Sequence, residues 1–282
     1  MTWYKLVLEQ KQPIHIGFKK YGVLAETRIF IPGQTIWGAL TKAYFLSLNE
    51  NERKKYSSIS DEKIQKLFEQ ITCFYPYIDE GTILKPNFKN GEFHLGGLSE
   101  KEFRLLFVDS YTSTAILSET RTAKDESLHE IEFILPKPKK SLENTKLWKK
   151  LVEEWGYKGE NLKWIGLINI DEKLKDEINN LELFIGGDSR YGFGLMKIMR
   201  DKIIEADDNF KDKFDIQNDM DDNLIKGKLK NYTNEILLNY LEFDPEIKFK
   251  GRLELLTEYD FYNKKMKDSK YYIIPGSEII SE

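Results

Sequence analysis

Hydrophobic and polar positions alternate with a period of two along several stretches of this chain, and that period predicts β-strands. The predicted strands cover residues 4–10, 24–31, 128–134, 162–170, 195–199, 248–256 and 271–277. Between residues 73 and 107 the extended pieces are short. There, Asn90-Gly91 stands between Phe88 and Phe93. An Asn-Gly pair between apolar residues predicts a tight β-hairpin.

Elsewhere the apolar positions recur at helical spacing. Ile36, Leu40 and Tyr44 predict a helix that buries one face, with Thr35 as its N-cap after the break at Pro32-Gly33. Further helices are predicted over residues 61–71 (capped by Ser60), 142–155 (ended by Gly156), 171–181 and 231–241. Residues 103–108 fit a strand or a short helix, and the pattern leaves both open. Strands and helices lack a regular βαβα order, so the prediction is an α+β fold with antiparallel sheets.

Composition narrows the class of protein. The chain has 282 residues, 40% apolar and 32% charged, which supports a sizeable core and a strongly solvated surface. No apolar run reaches the length of a membrane span, and the first residues lack the apolar block of a signal peptide. The single cysteine, Cys73, excludes an internal disulfide and a Cys-rich metal site, and we expect it to be a small buried hydrophobe. A cytoplasmic protein without membrane contact is expected.

Charge argues in two directions. The formal net charge of −4 disfavours a free-standing nucleic-acid binder, which usually carries a basic excess. The acidic residues are unevenly spread, however. Residues 201–222 hold eight aspartates and few large apolar side chains, which predicts a solvated segment. Residues 136–150 hold six lysines, which predicts a solvated helix face; contact with RNA or a partner is the alternative.

The most distinctive stretch is a glycine-rich loop, Gly186-Gly-Asp-Ser-Arg-Tyr-Gly-Phe-Gly194. Glycine permits positive φ and close approach of another chain, and an arginine is suited to phosphate. Aromatic side chains offer faces for base stacking. The loop is therefore either a phosphate cradle or a tight turn between strands. Its spacing matches neither the dinucleotide-binding fingerprint nor the P-loop, so no nucleotide cofactor is expected.

The order of several segments resembles the RAMP superfamily of CRISPR-associated proteins. Ile31-Pro-Gly-Gln-Thr-Ile-Trp-Gly-Ala-Leu40 is similar to the start of the family's first helix. Gly186 to Gly194, ending Gly-Phe-Gly, is similar to the family's loop between its last helix and last strand. Pro13-Ile-His-Ile-Gly17 resembles the end of the first strand, and Arg121-Thr-Ala-Lys124 with the strand after it resembles a segment near bound RNA. Ile274-Pro-Gly-Ser277 resembles part of a second half.

This resemblance implies a ferredoxin-like (RRM-like) domain over residues 1–200, with insertions. Residues 201–282 would be a smaller, degenerate second half. It further implies a non-catalytic subunit of a type III-like ribonucleoprotein effector for antiviral defence, similar to the subunit that caps the 5′ handle of crRNA. Its partners would be crRNA and the other effector subunits, including the backbone and large subunits. Asp188, where many members carry a basic residue, departs from the family pattern.

The residues expected near RNA are drawn from all of these segments. They are Gly186, Gly187, Ser189, Arg190, Tyr191, Gly192, Phe193, Gly194, Arg121, Lys124, His15 and Lys42. The alternative for Arg121 and Lys124 is that both lie in a solvated connector without RNA contact. For Tyr191, the ring either stacks on a base or packs beneath the loop. No metal-ligand spacing is present.

Two other functions remain open at this stage. Some members of the superfamily cleave RNA, commonly with a histidine. His15 is the best candidate here, ahead of His94 and His129, although a lone histidine is more often structural. Asp109, Asp125 and Asp188 are the acidic candidates for such a nuclease. A scaffold protein without RNA contact is the third possibility.

Overall fold

The computed structural model describes residues 1–79, 82–212, 214, 236–260 and 265–280, in which strands predominate over short helices. The strands are β1 (Thr2–Gln10), β2 (Gly17–Tyr21), β3 (Leu24–Thr27), β4 (Tyr75–Asp79), β5 (Thr82–Ile83), β6 (Pro86–Lys89), β7 (Glu92–Leu95), β8 (Leu98–Ser99), β9 (Val108–Ser113), β10 (His129–Ile134), β11 (Lys163–Ile170), β12 (Glu182–Phe184), β13 (Leu195–Ile198), β14 (Ile204–Glu205), β15 (Leu241–Glu242), β16 (Phe249–Lys250), β17 (Leu253–Asp260), β18 (Lys265–Ile273) and β19 (Glu278–Ile279). The helices are α1 (Gly33–Ser47), α2 (Glu50–Arg53), α3 (Glu62–Gln65), α4 (Glu100–Phe107), α5 (Lys146–Glu153), α6 (Glu172–Ile178) and α7 (Asp208–Asp212).

The main sheet is built around β1. Its strand order is β12-β13-β1-β11-β4-β5, and β14 also pairs with β1. All of these pairs are antiparallel. The longest pairing joins β1 to β11, from Thr2 opposite Ile170 to Glu9 opposite Lys163. Thus strands from opposite ends of the first 200 residues lie side by side, as the predicted α+β class with antiparallel sheets requires.

The core forms where α1 packs near this sheet. Leu6 and Leu8 of β1 and Ile36 and Leu40 of α1 are fully buried, because the apolar positions of each element share one face. Gly166 in β11 leaves room for an aromatic ring, since a Cβ there would lie 2.4 Å from Phe74.

A second sheet carries the order β2-β3-β10-β9. β3 and β10 are parallel, whereas β2–β3 and β9–β10 are antiparallel pairs. Gln10 ties this sheet to the main one: its Nε2 donates to the Ile134 carbonyl (2.7 Å), and its Oε1 accepts from the Trp164 indole (3.1 Å). Residues 114–128 form an exposed excursion between β9 and β10.

The C-terminal strands form two small sheets, β15-β18-β17 and β16-β19. Leu238, Tyr240, Tyr272 and Ile274 belong to the same hydrophobic core as the buried residues of the first 200 positions. The Tyr75 hydroxyl also donates to the Leu238 carbonyl (2.5 Å). The described C-terminal elements are therefore packed against the N-terminal part, and a division of the chain at residue 200 stays a prediction.

Several helix boundaries differ from the prediction. α1 begins at Gly33, two residues before the predicted N-cap Thr35, because Pro32 takes the cap position and its carbonyl accepts the Thr35 amide (2.9 Å). The helix predicted over 61–71 ends at Gln65 and is capped by Asp61 rather than Ser60. Ile71 instead bridges to Ile168 of the main sheet. Tertiary pairing overrode helical propensity there.

The helix predicted over 142–155 is also shorter. Residues 140–142 form a 3-10 turn, Asn144 has φ 68, and α5 begins at Lys146 with Thr145 as its N-cap. Gly156, with φ 68, follows the helix end as expected. The helix predicted over 231–241 lies outside the described residues in its first half, and residues 236–241 are not helical.

Two further expectations are resolved. Residues 103–107 belong to the helix α4, because Ser99 and Glu102 form a capping box, and β9 starts at Val108. Asn90 and Gly91, with φ 52 and 80, form the predicted hairpin turn between β6 and β7. Cys73 is buried, and burial raises the pKa of its thiol to about 11. Among the described residues, no helix has the length and apolar content needed to cross a membrane.

Candidate functional site

The glycine-rich loop joins β12 to β13 and is fastened to the segment that follows β1. The Gly187 amide donates to the His15 carbonyl (2.9 Å), and the Gly194 amide donates to the Pro13 carbonyl (2.8 Å). The Ile185 amide donates to the Gly194 carbonyl (2.9 Å) and closes the loop at its base. The loop is therefore held in place by backbone contacts on both sides.

Left-handed backbone at Gly186, Asp188, Gly192 and Gly194 shapes the loop. Gly186 has φ +84, and a Cβ there would lie 2.1 Å from the His15 carbonyl oxygen. Asp188 has φ 57, a conformation that aspartate tolerates better than most residues, and a 3-10 turn over Ser189–Tyr191 follows. The left-handed backbone is therefore a sufficient reason for an aspartate at position 188, and no role in binding is needed to explain it.

The loop presents Ser189, Arg190 and Tyr191 to solvent, and Tyr191 is 64% exposed. Within the described part of the chain, the Arg190 guanidinium has no hydrogen-bond or ion-pair partner. The amides of residues 188–190 likewise have no acceptor among the described residues, whereas the amides of Gly187, Tyr191, Gly192 and Gly194 are engaged internally. One exposed arginine, one exposed tyrosine and three successive N–H groups without an acceptor among the described residues therefore lie within four residues of each other.

Phe193 is positioned differently from Tyr191. Its ring packs on Phe133 of β10, with centroids 5.0 Å apart, and it is only partly exposed. The expectation that it offers a free stacking face does not fit this geometry. Instead, Phe193 fastens the loop to the second sheet.

His15 is buried beneath the loop, with 8% of its surface exposed. Its Nδ1 lies 2.6 Å from the Glu132 carbonyl oxygen. A Cβ at Gly187 would lie 3.4 Å from the imidazole ring, so the ring packs directly against the loop backbone. His15 is among the residues expected near RNA, and its buried ring packs under the loop backbone.

The other predicted residues lie on separate elements. Arg121 and Lys124 are exposed on the excursion between β9 and β10, where the Arg121 amide donates to Leu117 and the Lys124 amide donates to Ala115. Both sit in the polar connector that the sequence predicts. Lys42 lies on the exposed face of α1, opposite the buried Leu40 and Tyr44. No hydrogen bond in the described residues joins any of these three cations to the loop.

An ionic cluster on the second sheet was not predicted. Arg104 of α4 contacts three carboxylates, Glu26 (3.0 Å), Glu100 (3.0 Å) and Glu132 (2.9 Å). Burial raises the pKa of Glu26, and the charge of Arg104 opposes that rise. The cluster joins residues as far apart as 26 and 132, so spacing along the chain carried no signal for it.

A cleft of about 210 Å³ opens between the loop, the start of α1 and the C-terminal strands. Its lining includes Gly186, Gln34, Arg28 and Tyr240. Arg28 donates to the Glu254 carboxylate (2.8 Å) and to the Tyr240 hydroxyl (3.1 Å). Burial lowers the pKa of Arg28, but Tyr240 and Glu254 outweigh it and raise the pKa overall. No group of three or more histidine, cysteine, aspartate or glutamate side chains is placed to hold a metal ion in the described ranges.

Comparison with known families decides the class of protein. The family model described as the RAMP superfamily matches residues 8–197, well over half of the chain. The chain belongs to the RAMP superfamily. The matched span begins in β1 and ends in β13, so it contains the glycine-rich loop, the start of α1 and the excursion between β9 and β10.

Solved structures share the fold of this RAMP protein. One similar chain occurs in the cryo-EM structure of the Type III-B Cmr-beta bound to cognate target RNA and AMPPnP, state 1, with a TM-score of 0.59. Another occurs in the Type III-B Cmr-beta bound to cognate target RNA, with a TM-score of 0.58. Both are 14% identical, cover 98% of this chain and are themselves covered to 85% and 86%. No curated protein sequence matches the chain.

Proposed function

We propose that this RAMP protein is a non-catalytic, RNA-binding subunit of a CRISPR ribonucleoprotein effector complex. The observation that carries the proposal is the clustering in the loop of exposed Arg190, exposed Tyr191 and the amides of residues 188–190, which have no acceptor among the described residues. A guanidinium and successive N–H groups suit phosphate oxygens, and an exposed ring suits an unpaired base. The internal fastening of the loop means that little ordering is needed on binding.

A ferredoxin-like unit within residues 1–200 is part of this proposal. The supporting observation is that β1, β4, β11 and β13 lie in the spatial order β13-β1-β11-β4. α1 lies between β1 and β4 in the sequence, and α6 lies between β11 and β13. This order suits a split βαβ repeat, with β2 and β3 of the second sheet inserted between β1 and α1, β9 and β10 inserted between β4 and β11, and a smaller second half after residue 200.

We further propose that the bound RNA is the crRNA of a type III-like system with an antiviral role. In this view the chain holds the 5′ handle beside the backbone and large subunits. Support comes from family membership and from the fold shared with chains of the Cmr-beta complex over nearly the whole length. The exposed cations of the excursion, Arg121 and Lys124, would contribute to the same contact.

The proposal is tested by guide-RNA retention in the reconstituted complex. Arg190→Glu places a negative charge where a phosphate is expected, so retained RNA should fall by about tenfold or more. Arg200→Ala is the control, because Arg200 is exposed just past the far end of β13. Equal RNA retention by the wild type, Arg190→Glu and Arg200→Ala would remove the contact assigned to the loop.

A nuclease role is the main alternative. It is less well supported because the His15 ring is buried and its Nδ1 is occupied by the Glu132 carbonyl. The Nε2 atom of His129 also has a partner, the Ser113 hydroxyl at 2.7 Å. Wild type and His15→Ala should be compared for cleavage of a repeat RNA. Cleavage by the wild type that the variant lacks would favour the nuclease.

A scaffold without RNA contact is the third candidate. Phosphate contacts release counterions, so an RNA-binding chain should lose affinity for single-stranded RNA as salt rises. Absence of any salt-sensitive binding, in the chain and in the complex, would favour the scaffold.

A further inference from the structure

β17 is the outer strand of the small C-terminal sheet, and one of its sides is unpaired in the part of the chain that the structure describes. The sheet has the order β15-β18-β17, and β17 pairs with β18 alone. A strand at the edge of a sheet presents a row of free N–H and C=O groups, to which another strand can add.

The free groups belong to every second residue of β17. The Ile274 amide donates to the Arg252 carbonyl (3.1 Å), and these two residues continue the register that sets Leu253 opposite Ile273. Along an antiparallel ladder, pairs that exchange hydrogen bonds alternate with pairs that do not. Leu253, Leu255 and Thr257 therefore turn their N–H and C=O groups away from β18. Among the described residues, these groups have no hydrogen-bond partner.

The other neighbour of β18 agrees with this alternation. The Phe243 amide, just after β15, donates to the Tyr271 carbonyl (2.9 Å). Tyr271 therefore turns its backbone groups toward β15, and Tyr272 turns its own toward β17. Because Tyr272 lies opposite Glu254, the inward-bonded residues of β17 are Glu254 and its alternates.

Residues 253–257, which we call the open edge, lack the features that normally protect a free strand edge. Those features are charged side chains, proline and short length. Glu254 is the charged residue of this stretch, and its carboxylate is turned inward, where it accepts from Arg28 (2.8 Å) and from the Tyr240 hydroxyl (2.9 Å). Leu253 and Leu255 are 41% and 50% exposed. An apolar edge of this kind is an aggregation hazard unless another segment covers it.

The edges of the two larger sheets are protected in the usual ways. β2, at one end of the second sheet, carries exposed Lys19 and Lys20, and β9, at the other end, carries exposed Asp109. β12 and β5, at the two ends of the main sheet, are three and two residues long. The open edge therefore differs from them in being both longer than β12 and uncharged on its outer side.

An apolar surface lies next to the open edge. Leu253 and Leu255 share a face with Tyr271, which lies opposite Leu255 and is 56% exposed. On the other face, Leu256 and Tyr272 pack against the hydrophobic core. A strand added at the open edge would place alternate side chains beside the two leucines. Apolar residues at every second position suit that placement.

We infer that the open edge is a docking site for an extended segment of a neighbouring protein subunit. The segment adds a fourth strand beside β17 and carries apolar residues at alternate positions. The free backbone groups select a β-strand, since only an extended chain matches their spacing. This inference rests on membership of an effector complex, which is part of the proposed function.

The length of the open edge favours a subunit of a larger assembly over a second copy of this chain. The register shifts between Glu258 and Tyr259, which ends the regular ladder just beyond residue 257. A pairing over residues 253–257 is about 17 Å long. It would cover only part of the roughly 800 Å² per partner that a stable interface buries. A subunit that is also held by other contacts needs no more than this local pairing.

Amide hydrogen exchange tests the open edge directly. In the free chain, the amides of Leu253, Leu255 and Thr257 should exchange quickly, whereas those of Glu254 and Leu256 are protected by β18. In the complex reconstituted from the wild-type chain and the other effector subunits, the three outward amides should slow by about tenfold or more. The two inner amides should change little.

Substitutions at Leu255 test whether the pairing contributes to assembly. Leu255→Pro removes an outward N–H group and leaves the bonds to β18 in place. Recovery of the chain with the complex should fall by about tenfold or more, the loss expected for one or two hydrogen bonds. Leu255→Lys keeps the backbone and should act in the same direction, because it supplies the charge that protects other edges. Thermal unfolding of both variants checks that the chain still folds.

Matched controls come from β9, another edge strand. The Leu135 amide donates to the Phe107 carbonyl (2.7 Å), so by the same alternation Thr112 turns its backbone groups away from β10. Thr112 is exposed. Thr112→Pro and Thr112→Lys should join the complex like the wild type. Equal losses at Leu255 and Thr112 would overturn the inference, because the effect would not follow the open edge.

The outcomes separate this inference from the RNA contact of the loop. Unchanged exchange of the three amides in a complex that contains the chain overturns the inference, and the RNA contact stands if Arg190→Glu still loses guide RNA. Slowed exchange together with full RNA retention by Arg190→Glu supports the open edge and removes the RNA contact. A wild-type chain that joins no effector complex overturns both. Slowed exchange with guide RNA alone, or on concentrating the chain alone, assigns the edge to RNA or to a second copy and overturns the inference.

Discussion

A Cβ atom at Gly186 would lie 2.1 Å from the carbonyl oxygen of His15, the same oxygen that accepts the Gly187 amide. The loop therefore approaches the segment after β1 as closely as a backbone without a side chain allows. Any side chain at Gly186 would clash with this carbonyl, so the position requires glycine.

Gly186→Ala should consequently destabilise the protein more than Gly192→Ala. Both glycines have positive φ, +84 and +82, but a Cβ at Gly192 meets nothing within 4 Å. Gly192→Ala should cost about 1–2 kcal/mol of unfolding free energy from backbone strain. Gly186→Ala should cost roughly 2 kcal/mol more, because the His15 backbone must move. Denaturant unfolding measures both, and equal losses would contradict the close approach.

The ion pair between Arg28 and Glu254 should contribute to stability because both side chains are mostly buried, with 11% and 16% exposed. Arg28→Ala would leave the Glu254 carboxylate without its cation, at a cost of about 3 kcal/mol. Lys54→Ala is the control, since Lys54 and its partner Glu50 are 68% and 88% exposed and their pair should be worth less than about 0.5 kcal/mol. Similar unfolding midpoints for the two variants would contradict the importance of the buried pair.

The two aromatic residues of the loop should separate stability from binding. Phe193→Ala removes the ring that packs on Phe133 and should lower the unfolding free energy by about 1–2 kcal/mol. Tyr191→Ala should leave stability within about 0.5 kcal/mol, because the ring is exposed, and should weaken RNA binding instead. Thermal unfolding and RNA titration of both variants provide the check. A large stability loss for Tyr191→Ala would indicate that this ring packs beneath the loop.

Cys73 should react slowly with alkylating reagents in the folded protein. The thiolate is the reactive form, and burial raises the pKa of this thiol to about 11. Between pH 7 and about 9, the folded chain should therefore remain largely unmodified while the urea-unfolded chain is alkylated readily. Because Cys73 is the single cysteine, mass spectrometry of the intact chain measures it directly. Equally fast labelling of folded and unfolded protein would contradict the burial.

The sequence predicted several long strands of the two largest sheets well. β1, β10 and β11 fall within two residues of the predicted bounds, because each is a run of strand length rich in apolar residues. The helices were predicted less well. The stretch 61–71 satisfies helical spacing, yet only its first turn is helical, since Ile71 pairs with Ile168 in the main sheet.

For the candidate site, the residue types along the chain were sufficient to identify the loop. They did not predict which of its side chains are exposed and which are packed against the protein. Arg190, Tyr191 and Phe193 lie within four residues, and only the fold separates them. Phe193 meets Phe133, which is 60 residues away in the chain, while Tyr191 stays in solvent. The position of the His15 ring likewise depends on the fold, because the carbonyl beside its Nδ1 belongs to Glu132.

The sequence by itself determined the features that depend on residues close together in the chain. These are the strand-like runs, the Asn90-Gly91 turn, the glycine-rich loop and the family to which the chain belongs. Tertiary structure alone decided which face of each strand is covered and which charges meet. The ion pairs of Arg104 with Glu26 and Glu132, and of Arg28 with Glu254, join residues that are distant in the chain. Strand register sets such contacts, and register depends on long-range packing that no local pattern encodes.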